Sequence, residues 1–265
     1  MKVKILGSAG SYQSPSRQCS SYLVIIDGIS FLLDAGNGSF GNLLKVHDPF
    51  DIGAVFLSHR HHDHLADIIS LYHYLKFVPN GEVRRDKIPL FASRITHDFL
   101  SNFAAGSIFD IFERRVVAAG ELNTIEGVEV GFGGVNHVDG SLSISLKAQS
   151  GETLFYSGDS AYSSDLAASI PGGSTLITES TYLIRKEGSG KAIHMDAMEV
   201  AQLCNDAKVS GVIVTHVAHP NDPDVVGDLV RQSYTGYVEV ARDLDIFQID
   251  SDKIVRLTSI SGEGI

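Results

Sequence analysis

Ser58-His59-Arg60-His61-His62-Asp63-His64 is the most informative segment of the sequence. It follows Ala54-Val55-Phe56-Leu57, an apolar run that predicts a buried strand. Beyond it, Leu65, Ile68, Ile69, Tyr72 and Leu75 recur at helical spacing and predict an amphipathic helix. A loop between a strand and a helix can turn several side chains toward one point. In an extended segment residues two apart project to the same side, so His59 and His61 can share one ion. Asp63 and His64 stand at the turn into the helix and can face a second ion nearby. Imidazole and carboxylate donors suit zinc, manganese or iron. Histidine runs also occur in solvated loops, and the flanking strand and helix are what favour ligation here.

Two ions need more ligands than these four residues supply. Three further candidates stand where strands are predicted to end. His137 closes the apolar stretch from Val128, Asp159 follows Leu154-Phe155-Tyr156-Ser157-Gly158, and His216 follows Val212-Ile213-Val214-Thr215. Other predicted strands are Lys2–Leu6, Ser21–Ile26 and Ile29–Leu33, the last two joined by Asp27-Gly28, a hairpin signal. Strands are also expected at 142–148, 153–157 and 175–178, and helices at 95–104, 162–169, 196–207 and 222–232. Residues 76–89, with Pro79, Asn80-Gly81, Arg84-Arg85 and Pro89, read as an exposed loop. Strands in runs with helices interspersed fit two face-to-face sheets with helices outside. The glycines of Gly7-Ser8-Ala9-Gly10-Ser11 lack the dinucleotide-binding spacing, which argues against that class.

Composition sets outer bounds. At 265 residues the chain is expected to form one domain spanning 1–265, large enough to hold a core without disulfide staples. Two cysteines far apart, Cys19 and Cys204, fit a reducing cytoplasm. A formal charge of −11 disfavours nonspecific binding to nucleic acid or anionic lipid. The N-terminal residues do not read as a signal peptide, and no apolar run is long enough for a membrane span. The expectation is a soluble cytoplasmic protein with no membrane partner.

With these residues in hand, the sequence resembles the metallo-β-lactamase superfamily. The likeness is carried by His-x-His-x-Asp-His at 59–64, His137, Ser157-Gly158-Asp159 and Thr215-His216, in that order, with Leu33-Asp34-Ala35-Gly36 upstream. It implies a four-layer αββα sandwich. It also implies one divalent ion held by His59, His61 and His137, a second held by Asp63, His64 and His216, and Asp159 bridging both. Zinc is the expected metal, with manganese and iron as alternatives. Asp34 is expected to orient the histidine loop from behind the ligands.

The expected chemistry is hydrolysis by a metal-bridging hydroxide, with Asp63 and His194 as the residues acting in catalysis. His194, in Ala192-Ile193-His194-Met195-Asp196, precedes a helix that Asp196 can cap, and would contact phosphate or protonate the leaving alkoxide. The short interval from His137 to Asp159 leaves no room for a basic RNA-binding arm, so transfer RNA is not an expected partner. About fifty residues follow His216, less than the helical domain of glyoxalase II-like members requires. Compact phosphodiesterases on the ribonuclease Z-like side remain, including atypical class II cyclic-nucleotide phosphodiesterases. A small anionic phosphodiester is therefore the expected substrate, and a homodimer the expected assembly. Two alternatives stay open. One is a lactonase or thioesterase, which a pocket built from Phe103, Ile108, Phe109 and Phe112 would favour. The other is a non-catalytic module stabilised by metal.

Overall fold

The computed structural model describes residues 1–77, 86–104, 106–185, 192–250 and 253–257. Most of the expected 76–89 loop, including Arg84 and Arg85, lies outside them. In chain order the first strands are β1 (Lys2–Gly7), β2 (Ala9–Gly10), β3 (Ser21–Ile26), β4 (Ile29–Leu33), β5 (Ile52–Phe56), β6 (Ile88–Ala92) and β7 (Phe112–Val116). Next come β8 (Leu122–Ile125), β9 (Val128–Gly134), β10 (Leu142–Lys147), β11 (Thr153–Tyr156), β12 (Thr175–Glu179) and β13 (Gly211–Thr215). The last are β14 (Val217–Ala218), β15 (Tyr237–Val240), β16 (Ile246–Asp250) and β17 (Lys253–Leu257). The helices are α1 (Ser39–Val46), α2 (His62–Leu65), α3 (Ile68–Phe77), α4 (Arg94–Phe103), α5 (Ser164–Ser169), α6 (Ala197–Ala207) and α7 (Pro223–Ser233).

Two large sheets result, ordered β17-β16-β1-β3-β4-β5-β6-β7 and β15-β13-β12-β11-β10-β9-β8, with β2 and β14 paired separately. Their facing surfaces meet in one apolar layer. Tyr22, Val24, Phe31, Leu33 and Phe56 come from the first sheet, and Val130, Phe132, Ile144, Leu146 and Tyr156 from the second. Phe56 stacks on Phe91 with ring centroids 5.1 Å apart, and Phe132 lies 6.1 Å from Phe56. Truncating Phe56 to alanine would cost about 3–5 kcal/mol. The outer face of the first sheet packs Leu23, Leu32 and Val55 against Leu43, Leu71 and Leu100 of α1, α3 and α4. Leu176, Val212 and Val214 of the second sheet pack against Leu166, Val200, Leu203 and Val226 of α5, α6 and α7. This is the expected αββα sandwich, and its inner strands are apolar on both faces because both faces are covered.

Local chemistry explains the element ends. Asp27 and Gly28 both have positive φ, 52° and 85°, as the two-residue β3–β4 turn requires. Asp196 caps α6, its Oδ1 accepting the Met198 and Glu199 N–H groups while Glu199 accepts the Asp196 N–H. Pro89 masks β6, since proline argues against a central strand. Its missing N–H is tolerated because pairing with β5 starts only at Leu90.

Two features position the site. β4 to β7 run parallel, as do β11, β12, β13 and β15, so their carboxyl ends share edges. Register aligns those ends: Leu33 is paired with Phe56, Tyr156 with Ile177, and Glu179 with Thr215. The next residues in each strand are therefore neighbours, the arrangement in which open α/β sheets place ligands.

Candidate metal centre

Every expected ligand lies at this edge of the sheets, either in a loop that follows a strand or in the first turn of α2. His59 and His61 follow β5, Asp63 and His64 open α2, His137 lies in the loop after β9, Asp159 after β11 and His216 after β13. Gly158, at φ +59°, makes the turn that brings Asp159 inward. His59, His61, His137 and Asp159 bring one donor atom each to within 4.8 Å of one another, and so do Asp63, His64, Asp159 and His216. Asp159 belongs to both sets. Its Oδ2 is 3.7 Å from His59 Nε2 and 3.4 Å from His216 Nε2, and its Oδ1 is 3.3 Å from His64 Nε2.

Four of the histidines, His59, His64, His137 and His216, are oriented through their other nitrogen. The Ile193 carbonyl accepts from His137 Nδ1 at 2.9 Å, which leaves Nε2 as a lone-pair donor 3.1 Å from His61 Nδ1. Ser58 Oγ is 3.0 Å from His59 Nδ1, Thr181 Oγ1 is 2.8 Å from His216 Nδ1, and Asp34 Oδ2 is 2.7 Å from His64 Nδ1. Asp34 also accepts from the Ser58 N–H, Ser58 Oγ and Tyr156 OH, each at 2.7 Å. Such partners fix ring tautomer and raise ligand basicity.

Burial favours the unprotonated, metal-binding form of three of the histidines. Burial pushes His59 well down from its ordinary value, with the charge at His64 adding to it. Burial likewise lowers His61 and His137. Against burial, His64 and His216 hold Asp63 below the usual carboxylate range, and His216 and His64 do the same for Asp159. His64 goes the other way: burial lowers it, but Asp159, Asp63 and Asp34 outweigh burial and raise it well above its ordinary value.

The donor set fits divalent cations. Among the described residues, His59 Nε2, His64 Nε2 and Asp159 Oδ1 are buried with no hydrogen-bond partner, a costly state unless a ligand satisfies them. A third group, Glu179, His194 and His216, also converges. Its carboxylate is already occupied, accepting from the Ser160 N–H at 2.9 Å, the Thr181 N–H at 3.2 Å and His194 Nδ1 at 2.8 Å. Glu179 therefore braces His194. Burial lowers His194, but the Glu179 hydrogen bond and charge outweigh burial and raise it.

The sequence reading missed Glu179. Its signal was the one that marked Asp159 and His216, a polar side chain ending an apolar strand, here Thr175-Leu176-Ile177-Thr178-Glu179. Several nearby residues lie outside the cluster. His62 points away and meets the edges of Phe99 and Phe103. Ile108 and Phe112 are buried in the layer between the first sheet and its helices, so these two do not line an open acyl pocket. Tyr162 bonds Asp206 at the surface, and Ser8 bonds Asp243. Both cysteines are free and buried. Among the described residues no helix is long and apolar enough to cross a membrane.

Comparison with known proteins agrees with this geometry. A family model described as a beta-lactamase superfamily domain matches residues 30–217. The chain is 24% identical over 253 residues to "Probable metallo-hydrolase YhfI" of Bacillus subtilis (strain 168), covering 91% of this chain and 97% of that one. It is 23% identical over 295 residues to ribonuclease Z of Myxococcus xanthus (strain DK1622), covering 92% and 96%. The crystal structure of YhfI, a metallo-beta-lactamase fold protein, superposes with a TM-score of 0.82 at 22% identity, covering 93% of this chain and 99% of that one. A diphosphatase of the PhnP family superposes with a TM-score of 0.74 at 17% identity, covering 94% and 98%. With the family match spanning all seven candidate ligands and with the fold shared, the chain belongs to the metallo-β-lactamase superfamily of hydrolases.

Proposed function

We propose that this protein is a dinuclear metal-dependent phosphodiesterase acting on a small anionic phosphodiester, with a 3′,5′-cyclic nucleotide as the first substrate to test. One observation carries the reading. Two convergent donor sets share Asp159, each contains buried donor atoms without partners, and the Glu179-braced His194 stands beside them. His59, His61 and His137 would hold one ion and Asp63, His64 and His216 the other, with Asp159 between. When bound, two divalent ions supply the Lewis acidity that polarises a phosphoryl group and draws a nucleophile from water at neutral pH.

The chain's own residues do the rest. Asp63 and Asp159 offset about half of the charge two divalent ions bring, leaving a cationic centre for an anion in a protein whose formal charge is −11. His194 Nδ1 is tied to Glu179, so Nε2 is the atom that delivers a proton to the departing alkoxide. The Glu179 hydrogen bond and charge favour the protonated form of that imidazole. Similarity to proteins named as a ribonuclease and a diphosphatase supports phosphoryl chemistry. Transfer RNA is not proposed as substrate.

The test is turnover by chelator-stripped protein reloaded with zinc or manganese. The panel holds cyclic nucleotides, linear dinucleotides, bis(p-nitrophenyl) phosphate, a lactone and a thioester. Metal-dependent cleavage of the phosphodiesters is expected. Cleavage of the lactone or thioester alone would overturn the reading.

A further inference from the structure

The Gly7-Ser8-Ala9-Gly10-Ser11 stretch supplies no ligand, yet it is packed onto His216. That histidine has φ +53°, a left-handed conformation that residues bearing a Cβ rarely adopt unless their surroundings impose it. The imposing contacts come from this stretch. β2 pairs in parallel with β14, Ala9 opposite Val217 and Gly10 opposite Ala218. The Val217 N–H donates to the Ser8 carbonyl at 3.3 Å. A Cβ on Gly10 would fall 2.4 Å from the His216 carbonyl oxygen and 2.6 Å from its ring Nδ1, so only glycine permits the approach.

Two charged side chains fasten this assembly. Arg17 is 7% exposed, and its Nη1 donates to the Val217 carbonyl at 2.9 Å and the Ser8 carbonyl at 3.5 Å. It therefore ties the residue after His216 to the opening stretch. Asp243, in the turn that follows β15, anchors the other side. It accepts from the Ser8 N–H at 3.1 Å, Ser8 Oγ at 2.8 Å, the Gln18 N–H at 2.7 Å and Asn42 Nδ2 at 3.1 Å. Among the described residues neither Arg17 nor Asp243 has a hydrogen bond or ion pair to any of the seven metal-site residues. Their action on the site is through the backbone of His216.

We infer that Arg17 and Asp243, acting through the Gly7–Ser11 turn, are positioning residues that hold His216 in its left-handed conformation and thereby set the affinity of the Asp63–His64–His216 side for its ion. The His59–His61–His137 side hangs on β5 and β9 and does not depend on this brace. The inference rests on the two-ion reading above and adds a cause for unequal affinities. Partners that orient metal ligands typically change affinity by about 10–100-fold when removed.

The experiment uses the full chain, stripped by chelator and titrated with Zn2+ alone against a chromogenic competitor. Arg17→Met, Arg17→Lys and Gly10→Ala are compared with wild type. Gly10→Ala leaves the Arg17 and Asp243 side chains intact and keeps the test open if Arg17→Met folds poorly. Wild type should take up two ions. Arg17→Met and Gly10→Ala should keep the tighter ion within about threefold and weaken the other by about 10–100-fold. Arg17→Lys, which can still reach one carbonyl, should recover part of the loss. The metal-induced rise in melting temperature should lose its second increment and keep its first. Wild-type affinity for the second ion in either Arg17→Met or Gly10→Ala overturns the inference, as does an equal weakening of both ions. Uptake of fewer than two ions by wild type instead overturns the two-ion reading itself.

Discussion

Replacing Asp34 with asparagine tests whether the site is tuned from behind its ligands. The Asp34 carboxylate is fully buried, with Oδ1 accepting from the Ser58 N–H and Oδ2 accepting from Ser58 Oγ, Tyr156 OH and His64 Nδ1. Asparagine is nearly isosteric but has only one acceptor atom. Placing that oxygen at the Oδ2 position keeps three bonds and sets the amide NH2 against the Ser58 N–H. The opposite orientation faces three donors and is worse. The better one leaves one buried donor unpaired, at about 1–3 kcal/mol, and replaces charge-assisted bonds by neutral ones. A total loss of about 2–4 kcal/mol lowers the melting temperature of a chain this size by about 5–15 °C. His64 keeps its tautomer but loses the carboxylate that makes Nε2 basic, so the ion on the Asp63–His64–His216 side should weaken about 10–100-fold. The ion held by His59 is touched only through Ser58 Oγ and should change less. Thermal melting of the stripped protein and a competitive zinc titration measure the two effects separately. A drop in melting temperature with both zinc affinities within twofold of wild type would refute the orienting role and leave Asp34 a scaffold residue.

Other outcomes follow from the same geometry. His61→Ala should abolish metal-dependent turnover while costing only about 1 kcal/mol of stability, because His61 is half-buried in a loop; wild-type activity in metal-replete buffer would show that the ligand assignment is wrong. Asp159→Ala should lose both ions on dialysis, measured by elemental analysis, and retention of both would remove its bridging place. His194→Ala should slow turnover by about 10²–10⁴-fold with both ions retained, and the deficit should shrink on substrates with good leaving groups; equal deficits on good and poor leaving groups would exclude the proton-donor role. His64 in the stripped protein is held protonated by Asp159, Asp63 and Asp34 against burial, and must shed that proton to coordinate. Metal uptake near neutral pH should therefore release protons and tighten as pH rises, read by calorimetry in buffers of different ionisation enthalpy. No buffer dependence would contradict that protonation state.

The candidate site was legible in two ways: His59, His61, Asp63 and His64 from their spacing between an apolar strand and a helix, and His137, Asp159 and His216 as polar side chains that end apolar strands, where they have little structural reason to exist. The second logic, applied evenly, would also have reached Glu179. Glu179 was passed over because glutamate in a coarse reading looks like an ordinary strand end, and its bond to His194 exists only after α6 packs. The sandwich was legible from strands apolar on both faces, such as Ser21–Ile26. β6 was hidden by Pro89, and β15 to β17 by half-exposed alternation that mimics loop. α1 escaped because it starts at Gly38, which is left-handed and offers no side-chain cap. The brace on His216 could not be read from sequence at all, since it joins Arg17, Asp243 and Val217 across more than two hundred residues.

Anomalous scattering from crystals of the zinc-loaded protein would decide the matter most directly. Two zinc peaks flanking the Asp159 carboxylate are expected, one against His59, His61 and His137 and the other against Asp63, His64 and His216. Peaks elsewhere on the surface, or none at these side chains in zinc-saturated crystals, would contradict a two-ion hydrolytic centre.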